Sequence, residues 1–332
     1  MGHPPFVGPP DGVSTQSPET DAAPGPPPPH VAPSALAPEV RAFLRLFAND
    51  AGPGPRALAR LLDRYATPTA AHDAVVRGDV PHDLADVAAA VRPALTPATY
   101  ADAARAFARQ AAAGDVLVAL GEATYPPSLA AIHDPPPLLW RRGHLPDALL
   151  APAGLAPAVA IIGTRRASRD GLAFARALAY DVASTGTTVV SGLALGIDGA
   201  AHEGALAAAP DGTVAVLPTH LGAIHPPQHA TLARRIARGG ALLSDVPRPR
   251  RTRKHAFVRR NRIVSGLTRA VVVVEAPFRS GTRHTVDFAM EQGRDVFVVP
   301  HAATCEAGRA AAAWLRDGAR PLVDAADLFD GS

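Results

Sequence analysis

The chain has 332 residues, of which 47% are hydrophobic, so it is long enough to build a sizeable core and more than one domain. Its net charge of +3 is small, and its single cysteine, Cys305, excludes an intrachain disulfide bond. We expect that cysteine to be a small buried residue. The sequence shows no secretory signal and no apolar stretch of membrane-spanning length, so we expect a soluble cytoplasmic protein without membrane contact.

The first 113 residues divide into a tail and a helical part. Residues 1–38 contain twelve prolines and no apolar periodicity, which predicts a disordered tail. Residues 39–113 carry short amphipathic patterns that predict a small all-helical module. The stretch AGPGP at residues 51–55 joins two of these patterns, as in a helix-hairpin-helix or SAM-like module that offers N–H groups to phosphate. A packing module without DNA contact is an equally good interpretation.

Residues 114–157 predict a loop-rich linker, and residues 158–330 alternate short apolar runs with helical patterns. Runs such as AVAIIG, TVVSG and AVVVVEA are continuously apolar, which is typical of strands buried on both faces of a parallel sheet. The predicted fold class is therefore α/β: an extended Rossmann-like, doubly wound, mostly parallel sheet that follows the helical module. Ligands of such sheets bind at the carboxyl ends of the strands.

Three of the predicted strands end in turns that suit an anion, because each leads into a helix whose first N–H groups are unpaired. The turns read GTRRAS, SGLALGID and RSGT, and none matches a dinucleotide-binding or P-loop motif, so we expect no cofactor. Together they predict one shared anion-binding groove. The residues concerned are Gly163, Arg165 and Ser168 in the first turn, Gly192 and Gly196 in the second, and Ser280, Gly281 and Thr282 in the third.

A cationic block lies between two predicted strands. Residues 234–262 hold ten arginines and Lys254 against one acid, Asp245, a net charge of +10 on an otherwise acidic chain. Such a block indicates a polyanion partner, although a solvated loop is the simpler interpretation. An aromatic residue among arginines is typical of sequence-tolerant single-strand binders. The residues of this kind at the end of the block are Phe257, Arg259, Arg260, Asn261 and Arg262.

His202 and Glu203 invite a metal or acid–base interpretation, but no second histidine completes an HExxH pattern. We interpret His202 as a residue packed near the sheet, and we expect neither a metal site nor a catalytic residue. Asp198 fits as the N-cap of the helix that carries His202.

The stretches GTRRAS, VVSGLALGIDGAAHEGAL, RRNRIVSGL, VVVEAPFRSGT and EQGRDVFVVP resemble the DNA-processing protein A (DprA, or Smf) family. The resemblance extends over residues 40–325. It implies a homodimeric, non-catalytic protein that binds single-stranded DNA without sequence specificity, protects incoming strands and helps to load RecA during natural transformation or recombination. The implied DNA contacts are Gly163, Arg165, Ser168, Phe257, Arg259, Asn261, Arg262, Ser280 and Gly281.

The chain departs from the family pattern at several positions. His225 stands where a tyrosine is expected, Pro227 where a lysine is common and His301 where a glycine is usual, and Pro218 lies in a stretch where the family usually has a glycine-rich turn. A positive DNA contact is absent at Pro227, which leaves open whether the chain serves transformation or another DNA pathway.

Two other functions stay open at this point. A related Rossmann-like family cleaves the glycosidic bond of nucleoside monophosphates with a glutamate after its glycine turn, whereas here Asp287 is the nearest carboxylate. A sensor of a small nucleotide signal is the other alternative, although the +10 block indicates a larger ligand.

Overall fold

Twelve α-helices and nine strands are present in the part of the chain that the computed structural model describes, namely residues 37–47, 55–65, 67–153, 157–246, 254–277, 280–302 and 304–329. The helices are α1 (Pro38–Phe47), α2 (Pro55–Tyr65), α3 (Pro68–Arg77), α4 (Ala85–Val91), α5 (Pro97–Ala112), α6 (Pro127–Ala130), α7 (Arg169–Ser184), α8 (Ile197–Ala208), α9 (Ala230–Gly239), α10 (Lys254–Gly266), α11 (Gly281–Glu291) and α12 (Glu306–Arg316). The strands are β1 (Asp115–Ala119), β2 (Leu138–Gly143), β3 (Ala158–Ile162), β4 (Thr188–Ser191), β5 (Thr213–Val216), β6 (Ala241–Ser244), β7 (Ala270–Val273), β8 (Asp295–Val298) and β9 (Arg320–Pro321).

All nine strands form one sheet in the order β1-β2-β6-β5-β4-β3-β7-β8-β9. In this order, the seven strands from β6 through β3 to β9 all pair in parallel with their neighbours. Strand β2 is antiparallel to both β1 and β6. The chain leaves β3 towards β4 on one side and later returns to β7 on the other side. The strand order therefore reverses beside β3, and ligands of open α/β sheets bind at such a switch point.

Helices cover both faces of the sheet because successive strand residues point to opposite faces. Val159 and Ile161 of β3 pack with α7 and α8, whereas Ala160 and Ile162 belong to the core under α6, α10, α11 and α12. Near β2 and β6 the first face is covered by α9 and by the N-terminal helices, where Phe107 of α5 lies 5.7 Å from the ring of Trp140. The predicted fold class is confirmed.

The N-terminal helices begin where sequence signals place them. Thr67 and Thr96 cap α3 and α5 by accepting the N–H groups of Ala70 and Thr99, and a proline follows each cap. Residues 1–36 of the expected tail and most of the AGPGP turn, residues 51–54, lie outside the described residues, and α1 already begins at Pro38.

Two features differ from the expectations. The segment expected as a loop-rich linker contributes β1 and β2, and the pairing of β2 with β6 links residues about 100 positions apart. Cys305 is exposed rather than buried, because its sulfur caps α12 by accepting the N–H of Gly308. Within the described residues, no helix has the length and apolar character needed to cross a bilayer.

Candidate nucleic-acid interface

A cleft of 330 Å³ opens at the carboxyl ends of β3, β4 and β7, beside the switch point of the sheet. Three turns and one helix supply its walls. The lining residues are Ile162, Gly163, Thr164, Arg165, Gly192, Ala194, Asp198, Phe257, Arg260, Asn261, Val264, Ser280, Gly281, Thr282 and Thr285. Nine of the fourteen residues predicted from sequence therefore meet here, and five do not: Ser168, Gly196, Lys254, Arg259 and Arg262.

The turn after β3 carries the exposed Arg165 over the aromatic ring of Phe257. The guanidinium carbon lies 5.2 Å from the ring centroid, within the range of a cation–π contact. The two side chains come from segments about 90 residues apart in the chain and share one wall of the cleft. Arg165 is thus a cation at the rim that is already oriented by an aromatic surface.

Ser168 does not offer free groups to an anion, contrary to the prediction. Its N–H and its hydroxyl both donate to the carboxylate of Glu275, at 3.0 and 2.7 Å, and its hydroxyl oxygen accepts the N–H of Gly171 to cap α7. A side chain of the protein therefore already occupies this helix N-terminus.

The two glycines of the second turn serve close packing rather than a ligand. A Cβ atom at Gly192 would lie 1.8 Å from Nη1 of Arg260, so only glycine leaves room for that guanidinium. Gly196 has φ +80°, and a Cβ there would lie 2.3 Å from the carbonyl oxygen of Thr164. The N-cap of α8 is Gly196, so the N-cap prediction for Asp198 was wrong.

A buried acid and a buried base lie at the floor of the cleft. Asp198 accepts the N–H groups of Gly192 and Ala194 at 3.1 and 3.2 Å, and burial raises its pKa while Arg260 and these N–H groups lower it. Burial lowers the pKa of Arg260 to about 10, opposed by the charge of Asp198. Arg260 donates to the carbonyl oxygen of Val216 at 2.7 Å and remains a cation at neutral pH.

One face of helix α10 lines the cleft, and another part of the helix is buried away from it. Phe257, Arg260, Asn261 and Val264 follow helical spacing and line the cleft. Arg262 is 3% exposed and donates to the backbone carbonyl oxygen and to the carboxylate of Asp134, so it is not the DNA-facing residue that was predicted.

Asp245 joins Arg259 and Arg262 behind the cleft. Its carboxylate lies 3.2 Å from Arg259 and 3.3 Å from Arg262. Burial alone would raise the pKa of Asp245, but the two guanidinium groups hold it below its ordinary value. Arg259 keeps partial exposure, whereas Lys254 is exposed at the first turn of the helix. Neither belongs to the lining.

The residues at the start of α11 line one wall of the cleft with a small hydroxyl and a glycine. The Ser280 hydroxyl is buried and has no hydrogen-bond partner among the described residues. No described atom lies within 4 Å of a Cβ placed on Gly281, and Thr282 lines the same wall. Asn261 donates to the carbonyl oxygen of Gly281 at 3.2 Å, which ties α10 to α11.

A second cavity of 300 Å³ shares Arg165, Gly192, Ala194, Phe257 and Arg260 with the cleft. His225 lines it with its ring centroid 5.4 Å from that of Phe257, in an edge-on arrangement. Sequence reasoning treated His225 only as a departure from the family pattern. It also missed Thr164, Ala194, Val264 and Thr285 as lining residues, which only the known register of the turns and helices could have indicated.

The cationic block is not one continuous surface. Arg234, Arg235 and Arg238 are exposed on α9, whereas Arg260 and Arg262 are buried. Residues 247–253, which carry four more arginines, lie outside the described residues. Among the residues that are described, no three His, Cys, Asp or Glu side chains are grouped as metal ligands would be.

Sequence comparisons match this part of the chain to known proteins. The model of the family described as DNA recombination-mediator protein A matches residues 116–331. Protein Smf of Escherichia coli is 43% identical over 178 residues, which are 53% of this chain and 46% of the relative. Protein Smf of Synechocystis is 37% identical over 206 residues, which are 62% of this chain and 51% of the relative. The chain thus spans about half the length of these curated relatives.

Two solved structures share the fold at 27% identity. DNA processing protein A from Streptococcus pneumoniae has a TM-score of 0.71 and covers 89% of this chain and 98% of its own. DNA processing protein A from Helicobacter pylori, which was solved to explain its single-stranded DNA binding mode, has a TM-score of 0.56 and covers 65% and 94%. Since the family model covers well over half of the sequence, the chain belongs to the DNA recombination-mediator protein A family.

Proposed function

We propose that the cleft binds single-stranded DNA without sequence preference. One observation carries this proposal: the rim cation Arg165, the aromatic ring of Phe257 and the Ser280 hydroxyl, which has no hydrogen-bond partner among the described residues, converge on one cleft at the switch point. Cations and helix N-terminal N–H groups suit phosphates, and an exposed aromatic face suits a base of any identity. The related Helicobacter pylori protein, whose structure is described as giving insight into its single-stranded DNA binding mode, supports the same ligand.

Of the fourteen residues predicted from sequence, we assign direct contact to six that line the cleft: Arg165, Phe257, Asn261, Ser280, Gly281 and Thr282. Lys254 and Arg259 lie on α10 outside the lining, and their charges would add long-range attraction for phosphates. Gly163, Gly192, Gly196, Ser168, Arg260 and Arg262 would act by holding the cleft in shape.

In the cell, the proposed role is to protect incoming strands and to help load RecA during natural transformation or recombination, as a homodimer. The family membership and the curated relatives named for DNA processing support this role. We propose binding without catalysis. Asp287, the carboxylate considered for glycosidic hydrolysis, lies 3.7 Å from Arg283 on α11 and is not among the lining residues.

Exchange of Arg165 for alanine tests the proposal. Removing the rim cation should weaken binding of a fluorescent oligo-dT about tenfold at low salt, because each phosphate contact releases condensed counterions. The slope of log K against log salt should fall by about 0.7 for one lost contact on a single strand. Fluorescence anisotropy at four salt concentrations measures both quantities.

Arg238→Ala is the matched control, since it removes the same charge from an exposed site on α9 outside the lining. It should change affinity much less than Arg165→Ala. Equal losses in the two variants would refute a specific cleft, and release of adenine from AMP by the wild-type protein would refute binding without catalysis.

A further inference from the structure

Glu275 lies against the turn that carries Arg165, as an acid next to a site proposed for a polyanion. It follows β7 by two residues and is half-buried. Its backbone oxygen accepts the N–H of Thr164 at 2.6 Å, and its carboxylate accepts the N–H and hydroxyl of Ser168 at 3.0 and 2.7 Å. One residue therefore holds both ends of the turn that carries Arg165.

The carboxylate also fits the N-terminus of α7. Negative charge there compensates the unpaired N–H groups and the positive end of the helix dipole. A Cβ atom at Gly171 would lie 2.3 Å from Oε2 of Glu275, so the glycine in the first turn of α7 leaves space for this carboxylate. The arrangement is a built contact rather than a chance approach of two surface groups.

The sign of its effect on DNA binding is not obvious. As a negative charge near the path of a phosphate backbone, Glu275 repels the ligand, and its removal alone would tighten binding. As the group that fixes Ser168, the carboxylate holds the turn that places Arg165 over Phe257, and its removal would weaken binding. The number and lengths of its contacts favour the second effect.

We infer that Glu275 is a positioning residue that supports DNA binding through Arg165, in spite of its charge. The inference rests on the proposed function of the cleft. It assigns the acid to the binding machinery without any contact between acid and DNA, and it explains why a carboxylate is present where electrostatics alone would exclude one.

The test is Glu275→Gln in a double-mutant cycle with Arg165→Ala. Glutamine keeps the shape of the side chain but replaces the two charged acceptor oxygens with one neutral acceptor. We therefore expect the Kd for oligo-dT to rise about threefold to tenfold. In the Arg165→Ala background the same substitution should change the Kd less than twofold. Glu203→Gln, which removes an exposed acid paired with Arg176, is the control and should leave the Kd unchanged.

Hydrogen exchange of the DNA-free protein gives a readout that does not depend on binding. The amide of Ser168 should exchange faster in Glu275→Gln, and Ser168→Ala should reproduce part of this effect if the first variant folds poorly. Tighter binding by Glu275→Gln, or an equal effect with and without Arg165, overturns the inference while the proposed function stands. A wild-type protein that fails to bind oligo-dT overturns both, even if the exchange result holds.

Discussion

At the scale of single residues, the floor of the cleft depends on one missing side chain. The guanidinium of Arg260 occupies the volume that a Cβ at Gly192 would fill, and it reaches the carbonyl oxygen of Val216 from there. A buried cation held by one backbone oxygen and a nearby carboxylate tolerates little displacement, because an unpaired buried charge is costly. Gly192 is therefore required because it leaves space for the guanidinium of Arg260.

Gly192→Ala should lower the free energy of unfolding by about 1–3 kcal/mol, because overpacking at this site pushes Arg260 away from its hydrogen bond. Chemical denaturation measures the change. Gly281→Ala is the matched control, since no described atom lies within 4 Å of the added methyl group and its φ lies outside the left-handed region. A similar loss of stability in both variants would contradict this account.

Sequence alone could not separate the arginines by role. Arg165 and Arg262 both lie in motifs shared with the DprA family, yet the first is exposed at the rim and the second is enclosed by Asp134 and Asp245. Both acidic partners lie outside the motif, and Asp134 is 128 residues away. Charge patterns identify where cations gather, but burial and long-range partners decide which of them can meet a ligand.

At the scale of elements, helix α10 explains much of what the sequence prediction missed. The sequence indicates only that the arginines lie between two predicted strands, whereas in the structure α10 begins at Lys254 and contains Arg259, Arg260 and Arg262. Once the helix is known, Phe257, Arg260, Asn261 and Val264 fall on one face by their spacing of three, four and seven residues, and they are the members of α10 in the lining. The register of α10 therefore decides which of the predicted residues line the cleft, and the sequence alone does not give that register.

Helix α8 carries a buried histidine that should make the fold sensitive to acid. The hydroxyl of Thr213 donates to the carbonyl oxygen of Val189, so Nδ1 of His202 must donate to that hydroxyl. Its Nε2 has no partner among the described residues, and burial lowers the pKa of His202 to about 3. The neutral ring is the form that fits.

His202 should therefore contribute stability that is complete above its unfolded pKa of about 6.5 and is lost as the pH falls towards 3. Between pH 7 and pH 5 the expected loss is about 2 kcal/mol. Urea unfolding at both pH values should show this loss in the wild type and a smaller loss in His202→Gln. His284→Gln, which removes an exposed imidazole, should retain the wild-type pH dependence, and a persistent loss in His202→Gln would rule out His202 as the cause.

At the scale of the whole molecule, the helical part and the sheet share a core. Phe107 of α5 packs on Trp140 of β2 in a cluster that also contains Leu217 and Leu242. The sequence predicted both the helices and the parallel strands, because their periodicities differ locally. It could not predict that β1 and β2 extend the sheet, since antiparallel pairing with a strand about 100 residues away leaves no local signal.

The shared core predicts a single unfolding transition. Trp140 lies in the core with the N-terminal helices, and Trp314 lies in the core on the opposite face of the sheet. These are the two tryptophans of the chain, so Trp140→Phe and Trp314→Phe leave one reporter each. In each variant, the midpoint of thermal unfolding measured by tryptophan fluorescence should coincide with the midpoint measured by circular dichroism. Midpoints that differ between the two probes would indicate separate folding units.

The pairing of β2 with β6 also constrains how the chain can fold while it is being made. Translation at about 5–20 residues per second places roughly 5–20 s between the emergence of β2 and that of its partner from the ribosome. For that interval the β1–β2 hairpin has an open edge, and such an edge is a template for association between nascent chains. Synthesis speed and chaperone occupancy over this interval should therefore govern the yield of native protein more than the stability of the finished sheet does.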